Sequence, residues 1–227
     1  MIDRATADKL VRRGLWITGV GLAGLAGVYL LALVGTPTER WQGLAQKILY
    51  VHAPVAWSTL LAFGLVGLAS GGYLLLKDPR LDAFAESSAE VGLALGVAML
   101  TTGPMWARPI WGAWWQWEPR LTLTLLLWLL MIGYRALRSA IDDPEERARY
   151  AAVVGLMALV LIPFVHLSVY LFRTIHPQPI LLKPSKPSLP WEMLRTLLLS
   201  IVVFTVIYVG LVTTRYGLAR RAQAVTP

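Results

Sequence analysis

Six apolar runs, set apart by polar or charged segments, constrain this chain more than any other feature. They cover residues 15–34, 55–76, 91–106, 121–133, 151–171 and 194–211. A helix of about 20 apolar residues crosses a bilayer, and it satisfies its own backbone groups where no water can. The expected fold class is therefore an all-α membrane protein. It would be a single polytopic domain over 1–227, with six transmembrane helices and with interfacial helices and loops on one face. Composition supports this at one decisive point. Only 15% of residues are charged, against about a quarter in a soluble domain. The net charge of +8 then speaks to membrane topology and lipid contact, with no nucleic-acid partner implied. The absence of cysteine excludes disulfides, thiolate metal sites and covalent haem attachment through a Cys-x-x-Cys-His segment.

The first run is longer than the roughly 7–15 apolar residues of a signal sequence and has no small-residue cleavage site after it, so it reads as a retained span. Residues 36–53 read as a surface helix. Thr36-Pro37-Thr38-Glu39 fits a capping box. Trp41, Leu44, Ala45, Ile48, Leu49 and His52 recur at helical spacing, with Arg40 and Lys47 facing water. Gly67-x-x-x-Gly71 in the second run permits close helix approach. Thr101-Thr102-Gly103-Pro104 predicts a break or kink at the end of the third. Residues 172–191 hold five prolines and should be extended. Thirteen of the 21 Lys and Arg residues lie in the tails and in segments 77–90 and 134–150. By the excess of basic residues inside, both termini are cytoplasmic. Segments 36–53, 107–120 and 172–191 then share the outer face.

Between the third and fourth runs lies Arg108-Pro-Ile-Trp111-Gly-Ala-Trp114-Trp115-Gln-Trp117-Glu118-Pro-Arg120-Leu-Thr122. Four indoles within seven residues exceed what an interfacial belt needs, since Trp41, Trp106 and Trp191 already supply one. The four predict a flat aromatic surface for a large flat ligand. Arg108 and Arg120 flank it and suit carboxylates, with lipid phosphate or an Arg120–Glu118 pair as the plainer alternatives. Arg173 is a weaker candidate of the same kind. Glu118 either caps the fourth span, with Pro119 at its first position, or accepts an N–H that orients the indoles. Of three histidines, His52 and His176 belong to outer-face segments. Neutral imidazole ligates iron, and haem takes axial ligands on opposite faces; a loop histidine bonded to water or a carbonyl is the alternative. His166, three residues after Pro163, reads as a histidine satisfied by a nearby carbonyl. No nucleophile–base pair and no phosphate-binding glycine loop stands out, which argues against hydrolase or ATPase chemistry.

With these residues in view, the chain resembles the haem-handling family defined by a tryptophan-rich WWxWD loop, in its cytochrome c maturation branch. The likeness spans nearly the whole chain. The loop Arg108-Pro109 through Thr122 follows R-P-x-W-G-x-W-W-x-W-D-x-R-L-T. The family's two haem-ligand histidines fall on His52, in Val51-His52-Ala53-Pro54, and on His176, after Ile175. Two positions depart from the pattern: Glu118 replaces aspartate, and Tyr170-Leu171-Phe172 stands where further tryptophans are usual. The resemblance implies non-covalent, exchangeable haem b at the outer face of the inner membrane. It implies delivery to a membrane-anchored haem chaperone, with ATP-binding cassette subunits and a small single-span accessory protein as partners. The protein would not itself be an enzyme, though it could promote covalent attachment of haem to the chaperone by positioning it. Two other functions stay open: a haem-translocating pore, which needs polar spans, and a b-type haem electron-transfer subunit, which needs histidine pairs inside spans.

Overall fold

The computed structural model describes residues 3–223. Among the described residues there are six α-helices: α1 (Arg4–Leu30), α2 (Leu49–Leu76), α3 (Pro79–Trp111), α4 (Pro119–Ala140), α5 (Pro144–Leu171) and α6 (Trp191–Gln223). All six are long and apolar enough to cross a membrane. The chain is a multi-pass, all-α membrane protein.

Local chemistry starts and stops these helices. Asp78, Glu118 and Asp143 each accept a backbone N–H from the first turn of α3, α4 and α5, and each is followed by proline. Proline loses nothing at the first helical position, because its missing N–H would have had no partner there. Helix α3 closes at Gly112, whose φ of 75° lets its N–H reach back to the Arg108 carbonyl.

The helices extend further than the apolar runs. The charged stretch 77–90 forms the connection and opening turns of α3, and α3 continues through Pro104 and Pro109 to Trp111. The expected break at 101–104 is absent. Proline is tolerated inside membrane helices where neighbouring groups can satisfy the freed carbonyls, so it need not end the helix. A second correction concerns residues 36–53. No surface helix forms there. Helix α1 ends in a π-helical turn, Leu31–Gly35, and only Leu44–Ile48 coils, as a 3-10 helix running into α2. Glu39, expected to complete a capping box, instead accepts the backbone N–H groups of Trp41 and Gln42 and tightens a turn closed by Gly43 at φ 56°. Lys47 does not face water. It is buried, and its ammonium donates to the carbonyls of Thr36 and Pro37.

Helix α2 is central, packed on α3, α5 and α6, while α4 lies on α5 and α1 lies on α6. Phe63, Val66, Leu127, Met131, Tyr134 and Val165 form the main core. Small residues set the closest crossings. A Cβ on Gly67 would run into Leu159 and the Gly155 carbonyl, and one on Gly14 would run into the backbone of Gly210 and Thr214. Gly71 makes only an ordinary contact with Leu156, so the predicted pair is close-packed at one of its two positions.

At the end of the bundle near both termini, Asp82, Glu86 and Glu90 lie on one face of α3 at four-residue intervals. Arg138 pairs with Asp82 at 2.6 Å and Glu86 at 2.9 Å, Arg135 pairs with Glu86 and Glu90, and Arg215 of α6 reaches Glu90. At the other end, the α1–α2, α3–α4 and α5–α6 connections meet.

Candidate functional site

His52 is the fourth residue of α2, so it sits in a spanning helix and not in a surface element. Its ring meets two residues of α3 that are one turn apart. Nδ1 lies 3.1 Å from Thr102 Oγ1, and the Trp106 indole packs edge-on with ring centroids 6.0 Å apart. Gly103 leaves room for the ring, since a Cβ there would lie 3.1 Å from His52 Cε1. Trp106 also donates from Nε1 to Gln42 at 3.0 Å, tying the α1–α2 connection to α3. Sequence reasoning assigned Trp106 to an interfacial belt, whereas it is half-buried against a histidine. Its spacing of four from Thr102 was the signal for a shared face.

His176 belongs to the proline-rich connection after α5. Nδ1 is 2.9 Å from the Pro177 carbonyl, and the ring packs edge-on to Trp111 at 6.4 Å. Trp111 is the last residue of α3, so the tryptophan stretch begins on a helix and not in a loop. The segment is pinned through Thr174, whose hydroxyl donates to Glu118 Oε2 and accepts the His176 backbone N–H at 3.1 Å. The other carboxylate oxygen of Glu118 accepts the Leu121 N–H at 2.6 Å. Glu118 therefore caps α4, as one of the two expectations had it, and also clamps the α5–α6 connection, which sequence did not reveal. Trp106 and Trp111, the ring partners of His52 and His176, lie five residues apart on α3. Burial and the nearby Arg120 guanidinium push His176 down to about 4. It is a neutral imidazole at physiological pH.

A carbonyl only accepts hydrogen bonds, so His176 Nδ1 carries the proton and Nε2 keeps its lone pair. His166 bonds through Nε2, at 3.0 Å, to the Leu182 carbonyl. A carbonyl partner was expected, though Leu182 comes from the proline-rich connection and not from the turn freed by Pro163.

The four tryptophans do not lie in one plane. Trp115 and Trp117 meet at 76° with centroids 5.7 Å apart. Trp114 and Trp117 are 60% and 77% exposed, leaving their faces open. Trp115 is half-buried, and its indole N–H has no partner. Arg120 Nη1 is likewise buried without a partner, and among the described residues no ion pair joins it to Glu118. Arg108, by contrast, is exposed and donates to the Gly112 carbonyl at the end of its own helix. A cleft of about 300 Å³ opens beside them, lined by Gln116, Trp117, Glu118, Arg173, Thr174 and Ile175. Two buried donors without acceptors on the tryptophan stretch suit a ligand carrying a carboxylate, and a neutral imidazole with a free Nε2 suits a metal.

The sequence profile of a family described as Heme exporter protein C matches residues 4–225. The chain belongs to this family. A Heme exporter protein C of Bradyrhizobium diazoefficiens is 36% identical over 197 residues, covering 86% of this chain and 74% of the relative. One of Escherichia coli K12 is 30% identical over 201 residues, covering 86% and 77%. A ccmC-like mitochondrial protein of Marchantia polymorpha, named for cytochrome c biosynthesis, is 33% identical over 149 residues, covering 66% and 62%. The family match takes in all six helices and all three connections of the site.

Proposed function

We propose that this protein binds haem at the end of the bundle where the three connections meet, and delivers it for cytochrome c biogenesis. What supports the reading is that His52 and His176, from two separate elements, pack edge-on against Trp106 and Trp111, tryptophans five residues apart on α3. Among the described residues, no group of three or more His, Cys, Asp or Glu converges to hold a bare metal ion. Two imidazoles satisfy only two positions of a six-coordinate iron. The other four donors have to come with the ligand, as porphyrin nitrogens do. The names of the relatives agree in kind, since they are called heme exporters or linked to cytochrome c biosynthesis.

In this reading His52 and His176 ligate iron from opposite faces. Trp111, Trp114, Trp115 and Trp117 enclose the porphyrin edge, and Arg120, with Arg108 at the rim, receives propionates. Glu118, expected among the cofactor-binding residues, holds the His176 segment and lines the cleft. The haem is a non-covalent b-type cargo. The exposed faces of Trp114 and Trp117 leave the site open to a membrane-anchored haem chaperone, with ATP-binding cassette subunits and a small single-span protein completing the assembly. The basic-residue bias puts both termini in the cytoplasm and the site on the outer face of the inner membrane. The protein acts as a binding and delivery component. An electron-transfer subunit is less well supported, because Nε2 of His166, the other span histidine, is already bonded to the Leu182 carbonyl.

The test is the visible spectrum of purified protein loaded with haemin. Wild type should give a low-spin Soret band, and His52→Ala and His176→Ala should each lose that signature. Unchanged spectra in both variants would overturn the axial assignment.

A further inference from the structure

Thr102 lies in the last third of α3, outside the tryptophan stretch, and its hydroxyl has one hydrogen to give. That hydrogen is directed at the Ala98 carbonyl, 2.8 Å away and one turn back, with the Met99 carbonyl at 3.4 Å as a minor partner. Oγ1 can therefore meet His52 Nδ1 only as an acceptor, at 3.1 Å. This makes His52 the donor at Nδ1, so its Nε2 lone pair is free. The arrangement parallels that of His176, where the Pro177 carbonyl does the same. The difference is that a helix hydroxyl, anchored by its own backbone, holds one imidazole, and a backbone carbonyl in a connection holds the other. Trp106 packs edge-on to the ring, and the missing side chain at Gly103 leaves room for it.

We propose that Thr102 is a positioning residue that fixes the tautomer and orientation of His52, presenting Nε2 to the haem iron. The proposal rests on the haem-ligand reading of His52. A hydrogen bond donated from Nδ1 makes the ring a stronger donor at Nε2. Stronger donation favours ferric over ferrous iron. Thr102 thus acts on both the grip and the redox balance of the cargo without touching it.

The test compares wild type, Thr102→Val and Thr102→Ser. Valine keeps the shape and removes the acceptor; serine keeps the hydroxyl. Two readouts separate this proposal from the reading beneath it. In haem-free protein with ¹⁵N-labelled histidine, only three imidazoles contribute. At alkaline pH His52 should show a protonated Nδ1 and a bare Nε2 in wild type and Thr102→Ser. Thr102→Val should populate the tautomer protonated at Nε2. In haem-loaded protein, Thr102→Val should weaken haem affinity by about 10–100-fold, the usual effect of removing such an outer partner. It should also raise the iron midpoint potential, with Thr102→Ser restoring both. Wild-type tautomer, affinity and potential in Thr102→Val would overturn the proposal while leaving the ligand assignment standing. A normal tautomer shift with a Soret band indifferent to His52→Ala would overturn the haem reading instead.

Discussion

Arg108 and Arg120 look equivalent in the sequence, one on each side of the tryptophans, yet their surroundings differ. Arg108 is exposed and already spends a donor on the Gly112 carbonyl, whereas Arg120 Nη1 is buried with nothing to bond. A charged hydrogen bond contributes about 1.5–3 kcal/mol. Arg120→Ala should therefore weaken haem binding by roughly one to two orders of magnitude, and Arg108→Ala by much less, in a haemin titration followed at the Soret band. Equal effects would show that the propionates lie elsewhere. His176 gives a second expectation at this scale. Its pKa falls to about 4 from the ordinary value of 6.5 because of burial and the Arg120 charge, so the folded protein takes up its proton late. Stability linked to this group is fully present above about pH 6.5 and is lost as pH falls from there towards 4. In haem-free protein, the ¹⁵N signal of His176 should keep its neutral pattern through pH 6 and titrate near 4. A midpoint near 6.5 would place the ring in open solvent.

At the scale of elements, the sequence revealed the six apolar runs and the tryptophan stretch, because both are local patterns. It understated the helices, since their polar ends carry no apolar period. Asp82, Glu86 and Glu90 look like loop charges until Arg135 and Arg138 of α4 come alongside. It overstated 36–53, where helical spacing held but Glu39 spent its carboxylate on a turn. His52 and His176 were legible as rare residues near an aromatic cluster. Thr102, Trp106 and Thr174 were not, because each acts across two segments that only folding joins. Glu118 shows what such a junction does. It caps α4 and, through Thr174, holds the backbone of His176. Losing an N-cap costs about 1 kcal/mol, so Glu118→Ala should lower thermal stability modestly while loosening the His176 segment. Protease cleavage within 172–190 should quicken, and Glu118→Asp should fall between the two. Unchanged cleavage would mean the clamp does not hold the segment.

The whole molecule separates two tasks between its ends. One end gathers histidines, indoles and a guanidinium whose Nη1 is buried without a hydrogen-bond partner among the described residues. The other gathers a closed set of ion pairs in which Arg138, 3% exposed at its side chain, is shared by Asp82 and Glu86. Removing one partner of a buried pair costs about 3–5 kcal/mol, and the partial exposure of both acids lowers that figure here. Arg138→Ala should thus reduce thermal stability while the folded protein keeps a wild-type haem spectrum, since its ion pairs lie at the other end of the bundle from the site. Which end faces outward can be read directly, because the chain has no cysteine to interfere. Gln116→Cys and Gln178→Cys place a thiol at the site end, and Ser139→Cys and Asp142→Cys place one at the ion-pair end. All four positions are exposed. In intact cells with the outer envelope opened, a membrane-impermeant maleimide should label the first pair, and the second only after the inner membrane is breached. The reverse pattern would turn the bundle over. The haem site would then face the cytoplasm, and a chaperone on the outer side could not receive the cargo directly.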